Sequence, residues 1–208
     1  MSKCNLKLDY ASYEATKYAC LNWHYSKTVP AGKLLKIGVW ENNVFVGVVI
    51  YGRGANQFLP KHLGVKITEC CELVRVALNK HLTPTTKIVA ISLKILKKTN
   101  PNIKIVFSYA DITNQNHQGI IYKAGNWKYH GIRTSKGGHF LVNNKLIHNR
   151  SLNSKYKSKV NYPSFVKEAP EQKKHFFTYE FKMRVPNSRV SDDQSKIDGA
   201  NPIHSLQK

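Results

Sequence analysis

The sequence predicts an α/β or α+β chain built on a mixed, largely antiparallel sheet flanked by helices. Three observations predict it. Short runs rich in β-branched and aromatic residues recur along the chain. One of them feeds a stretch of helical periodicity that leads back into another apolar run. The 208 residues, 41% of them hydrophobic, supply one well-cored domain rather than two. That domain is expected over residues 1–185, with a polar, disordered tail at 186–208.

Each element has its own local reason. Asp9 is a plausible N-cap for a helix from Tyr10 to about Asn22, which delivers Trp23-His24-Tyr25-Ser26 to a loop. Leu34–Trp40 and Val44–Tyr51 read as a hairpin about Glu41-Asn42-Asn43, residues 53–68 as a long loop, and Cys71–Leu78 as a strand. Thr83-Pro84 opens a helix in which Ile88, Ile91 and Ile95 keep helical spacing to Lys98. Ile103–Tyr109 is a buried strand ending at Ala110-Asp111; residues 116–124 form a short helix and Trp127–Ile132 another strand. His139–His148 pairs with itself about Asn143-Asn144, and Lys174–Met183 holds a last aromatic strand.

Charge sets the partner class. Lys and Arg number 33 against 12 Asp and Glu, a formal net charge of +21, and between Leu73 and Lys167 the only carboxylate side chain is Asp111. Such a surface suits a polyanion, bound by release of condensed counterions. Nucleic acid is the expected partner, and Lys155-Tyr156-Lys157-Ser158-Lys159 a stretch that tracks phosphates. No long apolar run, lipidation motif or basic amphipathic helix points to a membrane, and no apolar core follows Lys3 and Lys7 as in a signal peptide, so a cytoplasmic protein is expected. The four cysteines show no C-x-x-C spacing and are read as reduced, partly buried thiols. The central acids are too few for a magnesium nuclease, and the motifs of zinc deaminases, dinucleotide-binding loops and nucleotide triphosphate loops are absent.

The residues left to carry chemistry are few. Asp111 stands at a strand's C-terminal end, where α/β sheets place ligand-contacting groups, or it caps the segment that follows. His24 offers a titratable base beside Tyr25, Ser26 and the face of Trp23; a helix-end packing role is the competing account. Tyr122, Trp127 and Tyr129, with Asn114, Asn116, His117 and Asn126 among Lys123, Lys128 and Arg133, suit stacking on a base while holding phosphates, or pack in the core.

Ser108-Tyr109-Ala110-Asp111, followed by His117-Gln118-Gly119-Ile120-Ile121-Tyr122-Lys123-Ala124-Gly125-Asn126-Trp127-Lys128-Tyr129-His130-Gly131, resembles the signature of the phage Mom DNA-modification family. Trp23–Ser26, Gly47–Gly52, Glu72–Leu78 and His148-Asn149-Arg150-Ser151 extend the resemblance over roughly residues 20–155. The element order looks like the GNAT acyltransferase fold, to which the family is similar. The resemblance implies conversion of adenine in DNA to N6-carbamoylmethyl (acetamido) adenine, which shields phage DNA from host restriction enzymes, in the host cytoplasm. It implies a catalytic cluster of His24, Tyr25, Arg75, Asp111 and Tyr122, with Ser26, Ser108, Tyr109, His117, Asn126, Trp127 and Tyr129 toward the substrate.

The Gln/Arg-x-x-Gly-x-Gly/Ala loop with which GNAT enzymes hold acyl-coenzyme A is replaced by Asn79–Lys87, without glycine. Thr83, Thr85 and Lys87 at the helix start are then the expected donor contacts. Acyl-coenzyme A and glycyl-tRNA both stand as donors, the second making tRNA a further partner; an iron-assisted route would use His24, Tyr25 and Asp111 as ligands. The rival readings are a basic DNA-binding protein without catalysis and a GNAT acyltransferase acting on a protein amine.

Overall fold

A computed structural model of the chain describes residues 4–54, 56–135 and 138–182. The expected tail at 186–208 and the end of the last expected strand at Met183 lie outside them. The described residues form a seven-stranded sheet and a separate three-stranded one. The mixed, largely antiparallel architecture with flanking helices is the one expected.

The first strand, β1 (Leu6–Tyr10), corrects the expected start. Leu6 and Leu8 alternate with polar neighbours at a strand's period, and β1 pairs antiparallel with β2 (Leu34–Glu41). Asp9 is therefore no helix cap. Helix α1 (Tyr13–Trp23) begins behind Ser12, whose hydroxyl accepts a hydrogen bond from the Ala15 N–H at 3.1 Å. It still delivers His24 and Tyr25 to the following loop.

β2 returns as β3 (Val44–Gly52) through Asn42 and Asn43, at φ 49° and 65°, the pair of left-handed residues that a tight hairpin turn requires. β3 is buried on both faces. Val49 and Tyr51 join the core under α3 (Thr85–Thr99), while Val48 and Ile50 pack with Ala19 and Cys20 of α1. The loop expected at 53–68 holds one helical turn, α2 (Leu59–His62), whose Leu59 joins Cys70, Ile105 and Phe107 in a third cluster.

β4 (Cys70–Leu78) lies antiparallel to β3, and β5 (Ile105–Asp111) runs parallel to β4 after the α3 crossover. That parallel ladder is short. It pairs Cys70 with Ile105, Cys71 with Val106 and Glu72 with Phe107, and then stops. β4 nevertheless continues on β3 to Leu78, and β5 continues on β10 (Gln172–Glu180) to Asp111. Each strand follows its other neighbour, so a fork opens between Leu73–Leu78 and Ser108–Asp111.

The helix expected at 116–124 is confined to α5 (Ile120–Lys123), preceded by a separate turn, α4 (Ile112–Gln115); Asn116 at φ 47° and Gly119 at φ 69° keep the two apart. Gly119 is required there on a second ground: a Cβ would come within 2.4 Å of the Phe177 ring. β6 (Lys128–Ser135) follows and closes the large sheet beside β10.

The second sheet is β7 (His139–Val142), β8 (Lys145–His148) and β9 (Lys167–Glu168), its hairpin turning at Asn143 and Asn144 as expected. Helix α6 (Asn149–Tyr156) lies between β8 and β9 and buries only Leu152, which is why no apolar period announced it. The four cysteines are free thiols, and burial pushes Cys71 up to about 12, so it stays protonated. Among the described residues no helix is long and apolar enough to cross a membrane.

Candidate active site

The fork between β4 and β5 holds a cavity of about 410 Å³. Its walls bring together His24 and Tyr25 from the end of α1, Arg75 from β4, Tyr109 and Asp111 from β5, and His117 and Tyr122 from the segment beyond. Thr85 and His81 close the side nearest α3. The five residues expected to form the catalytic cluster thus line one space, with Tyr109, His117 and Thr85 among the expected contacts.

The hydrogen bonds decide what each group offers. His24 is buried, and its Nδ1 accepts the Ser26 N–H at 3.1 Å and lies 2.8 Å from the Ser26 hydroxyl. A nitrogen that accepts from a backbone N–H carries no proton of its own, so in the neutral ring the proton sits on Nε2. Burial, with Arg75 and Lys27 nearby, pushes the ring down to about 4, so it is neutral at physiological pH. His24 therefore acts as a donor and is a poor base. His117 follows the same pattern: Nδ1 accepts the Gly119 N–H at 3.0 Å, and burial lowers its pKa.

Ser108 sits where the parallel ladder ends and donates to the Leu73 carbonyl at 2.8 Å, tying β5 to β4. Having spent its proton, it receives that of the Tyr122 hydroxyl, 2.8 Å away. Burial pushes Tyr122 up to about 12, so it remains a neutral phenol whose oxygen lone pairs are left for the cavity. Ser108 is fully buried and positions Tyr122 without lining the cavity.

Arg75 is the cation of the site. One Nη donates to the Val74 carbonyl at 2.9 Å, its Nε is buried without a hydrogen-bond partner, and it joins no ion pair among the described residues. Its field is felt by His24 and Tyr25; burial raises the Tyr25 phenol, Arg75 opposes that, and Asp111 adds to it. Asp111 is also the cap of α4: Oδ1 accepts the Asn114 N–H at 3.0 Å, and both oxygens meet the Asn114 amide, at 3.2 and 2.9 Å. Asp111 thus caps α4 while also lining the cavity.

Other expected residues lie elsewhere. Trp127 is core, edge-on to Tyr122 at 5.2 Å, because it precedes β6 and turns inward. Tyr129 stands on β6 outside the cavity, its hydroxyl 2.8 Å from His175 Nδ1 and its ring on Phe177. Asn126 is an exposed left-handed turn residue, and Ser26 supports His24 from behind. Among the donor contacts only Thr85 reaches the cavity; Lys87 is exposed elsewhere and Thr83 is buried. For a metal, His24, Tyr25 and Asp111 share the cavity, but His24 Nδ1 and the Asp111 carboxylate are already committed. No three His, Cys, Asp or Glu side chains among the described residues converge on a cation-sized point. That donor set does not fit a metal ion.

Two acids missed by the sequence reading matter here. Glu41, expected only to help turn the hairpin, is buried and reaches the loop before α3. There its carboxylate accepts the Leu82 N–H at 2.6 Å and the Thr83 N–H at 2.7 Å. Burial alone would raise its pKa; the bonds from Leu82 and Thr83 and the nearby His81 hold it below the usual carboxylate range. Pro84 rather than Thr83 occupies the cap position of α3, and without a side-chain bond. The second acid, Glu72, is the last β4 residue of the parallel ladder. Its only sequence signal was to be the one charge in Cys70-Cys71-Glu72-Leu73-Val74.

Comparison with known proteins gives a fold and a family. A structure assigned as a phosphinothricin N-acetyltransferase aligns with a TM-score of 0.51 at 7% identity, covering 86% of this chain and all of that one. An N-acetyltransferase from Staphylococcus aureus Mu50 aligns at 0.49 with 10% identity over 86% of this chain and 99% of that one. An aminoglycoside 6'-acetyltransferase type Ii aligns at 0.47 with 9% identity over 86% and 99%. The first of these likenesses carries the fold, that of GNAT acetyltransferases. None of the curated proteins matches. The family model described as the Mom protein family matches residues 5–184.

Proposed function

Since the chain belongs to the Mom protein family, we propose that it is a transferase that places an acyl or aminoacyl unit on N6 of adenine in double-stranded DNA. A transferred glycyl unit that then rearranges gives N6-carbamoylmethyl adenine, which protects phage DNA from host restriction. The observation that carries this reading is the fork cavity itself, where an ion-pair-free guanidinium, a neutral imidazole donor, a phenol oxygen and a carboxylate face one space.

Adenine's amine is a weak nucleophile, so transfer needs its proton removed and the acyl oxygen stabilised as the N–C bond forms. Arg75 and the Nε2–H of His24 suit the oxyanion. Asp111 suits the departing proton, and the Tyr122 oxygen accepts an N6–H and aims the amine's lone pair. Collapse of the oxyanion then breaks the donor's ester C–O (or thioester C–S) bond, and the donor leaves as its hydroxyl (or thiol) with the proton Asp111 took. The titratable base that the sequence offers in His24 is thus replaced by a hydrogen-bond donor. Reaching the cavity requires the base to leave the duplex, at roughly a few kcal/mol, offset by phosphate contacts to a chain of net charge +21.

Glu41 bears on the donor. In the GNAT fold the backbone N–H groups between β4 and α3 suit a pyrophosphate, and here Leu82 and Thr83 already donate to a carboxylate. An aminoacyl ester, with glycyl-tRNA as the case to test, is therefore favoured over acyl-coenzyme A. A glycyl unit on N6 is an isomer of the carbamoylmethyl unit, so this transfer supplies every atom of the product and leaves a rearrangement.

Nucleoside mass spectrometry of DNA from cells expressing the protein tests the function. Unmodified adenine at full expression favours the non-enzymatic or protein-directed readings. Modification by purified protein with acyl-coenzyme A alone, insensitive to ribonuclease, removes the tRNA donor.

A further inference from the structure

Beside the opposite end of β4 lies a larger cavity, of about 940 Å³, that none of these roles uses. It is bounded by the loop before β2, by Gly52-Arg53-Gly54 after β3, by the start of β4 and by Arg150 of α6, and it shares Val74 with the fork cavity. Its volume is within the range of roughly 300–1,000 Å³ found for small-molecule pockets. Lys33, Arg53 and Arg150 supply its cations, and Glu72 is the one carboxylate on its wall. Pro30, Ile67 and Ile103 add apolar surface.

Glu72 makes the cavity more than a basic patch. Gly54, at φ +82°, lets the backbone press against it; a Cβ there would stand 2.9 Å from Glu72 Oε2 and 2.7 Å from the Phe107 ring. Burial raises the Glu72 carboxyl to about 7, with Lys174 and Arg75 opposing, yet no hydrogen bond or ion pair joins it to a described residue. Lys33 and Arg53 are likewise in no ion pair among the described residues. A simple cation would be repelled by the three basic groups, and a simple anion would leave the Glu72 carboxyl oxygens without a partner. The complementary ligand has an anion at one end and N–H donors at the other, with flat apolar faces between, and fills more space than an amino acid.

We propose that this cavity is a nucleotide site, in which Arg53, Lys33 and Arg150 take the phosphate and Glu72 accepts hydrogen bonds from the exocyclic amine of the base. It stands apart from the transfer chemistry of the fork and does not depend on it.

Calorimetric titration of the full chain at roughly 0.3 M salt, which screens non-specific phosphate binding, tests this with AMP, UMP, inorganic phosphate and glycine. AMP is expected to bind about tenfold or more tighter than UMP, which lacks the amine, and tighter than phosphate. Arg53→Ala weakens AMP and UMP alike by about tenfold, and Glu72→Leu, which removes the acceptor oxygens, brings the two nucleotides together. Equal affinity for AMP and UMP in the unaltered protein overturns the proposal, as does phosphate binding as well as AMP, displacement of AMP by glycine, or no binding. So does AMP affinity that survives Arg53→Ala but is lost in Tyr25→Ala, since the ligand then sits in the fork. Should Glu72→Leu fail to fold, the unaltered protein's selectivity and the surface variant Arg53→Ala still decide.

Discussion

In the fork cavity nearly every polar group is committed before a ligand arrives, whereas in the neighbouring cavity Lys33, Arg53 and Glu72 are in no ion pair among the described residues. His24, His117, Ser108, Tyr122 and Asp111 each hold a short-range hydrogen bond that fixes a tautomer, a proton direction or an orientation. Such wiring costs little at the moment of reaction and suits a transition state. Groups left open are ordered by what binds, which suits recognition. On the proposed reading, chemistry belongs to one end of β4 and selection to the other.

Arg75 breaks that contrast most directly, being the fork's cation. Arg75→Ala is expected to lower adenine modification by about 10²–10³-fold, the usual cost of one oxyanion contact. Duplex affinity should stay within a few fold. Arg75→Lys keeps the charge, loses the fork geometry of the guanidinium and recovers only part of the rate. Single-turnover modification and fluorescence anisotropy measure the two quantities, and a parallel fall in both would make Arg75 a phosphate contact.

Ser108→Ala sharpens the comparison from the structural side. It strips the Tyr122 hydroxyl and the Leu73 carbonyl of their partner in a buried site, at about 1–3 kcal/mol in urea unfolding. Adding Tyr122→Phe should cost less than the sum of the single changes, because the orphaned phenol is then gone. Additive losses would deny the relay.

The strands and turns were legible because their signals are local: Asn42-Asn43 and Asn143-Asn144 dictate hairpins, and the apolar runs around them dictate pairing. α1 was read three residues early because Asp9 caps as readily as Ser12, and only pairing with β2 shows that Leu6–Tyr10 is a strand. The signature residues pointed to the fork, yet Trp127 and Tyr129 look alike in sequence; their position relative to the start of β6 alone separates core from surface. Glu41 could not be read at all. Its partners, Leu82 and Thr83, are forty residues away and bind through backbone N–H groups that no side-chain pattern reports.

The basic surface of the small sheet bears on selection too. α6 and the 3₁₀ turn after it carry Lys155, Lys157 and Lys159, the last in an ion pair with Glu168. Replacing all three by alanine is expected to reduce the slope of log affinity against log salt for duplex by roughly 2–3, at about 0.9 per phosphate contact. Affinity should fall about equally for every sequence, while AMP binding stays unchanged. A loss confined to particular sequences would move base recognition to this sheet.

The smallest effect separates the two overlooked acids by sign. Glu41 is held below the usual carboxylate range, so its contribution is present above the ordinary pKa and is lost as pH falls through the lowered one. Glu41→Gln is therefore expected to cost about 1–2 kcal/mol at pH 7 and progressively less as pH falls through that lowered pKa. Glu72 runs the other way. The folded state keeps its proton to about pH 7 while the unfolded chain releases it near the ordinary value, so stability falls as pH rises between them. Glu72→Gln should leave stability unchanged near pH 4 and raise it at pH 8, by on the order of 1 kcal/mol once screening at a half-buried site is allowed for. Urea unfolding at the two ends of each range reads both. If Glu72→Gln destabilises at pH 8, the carboxylate already has a partner in the folded chain, and the open cavity loses the feature that distinguishes it from the wired fork.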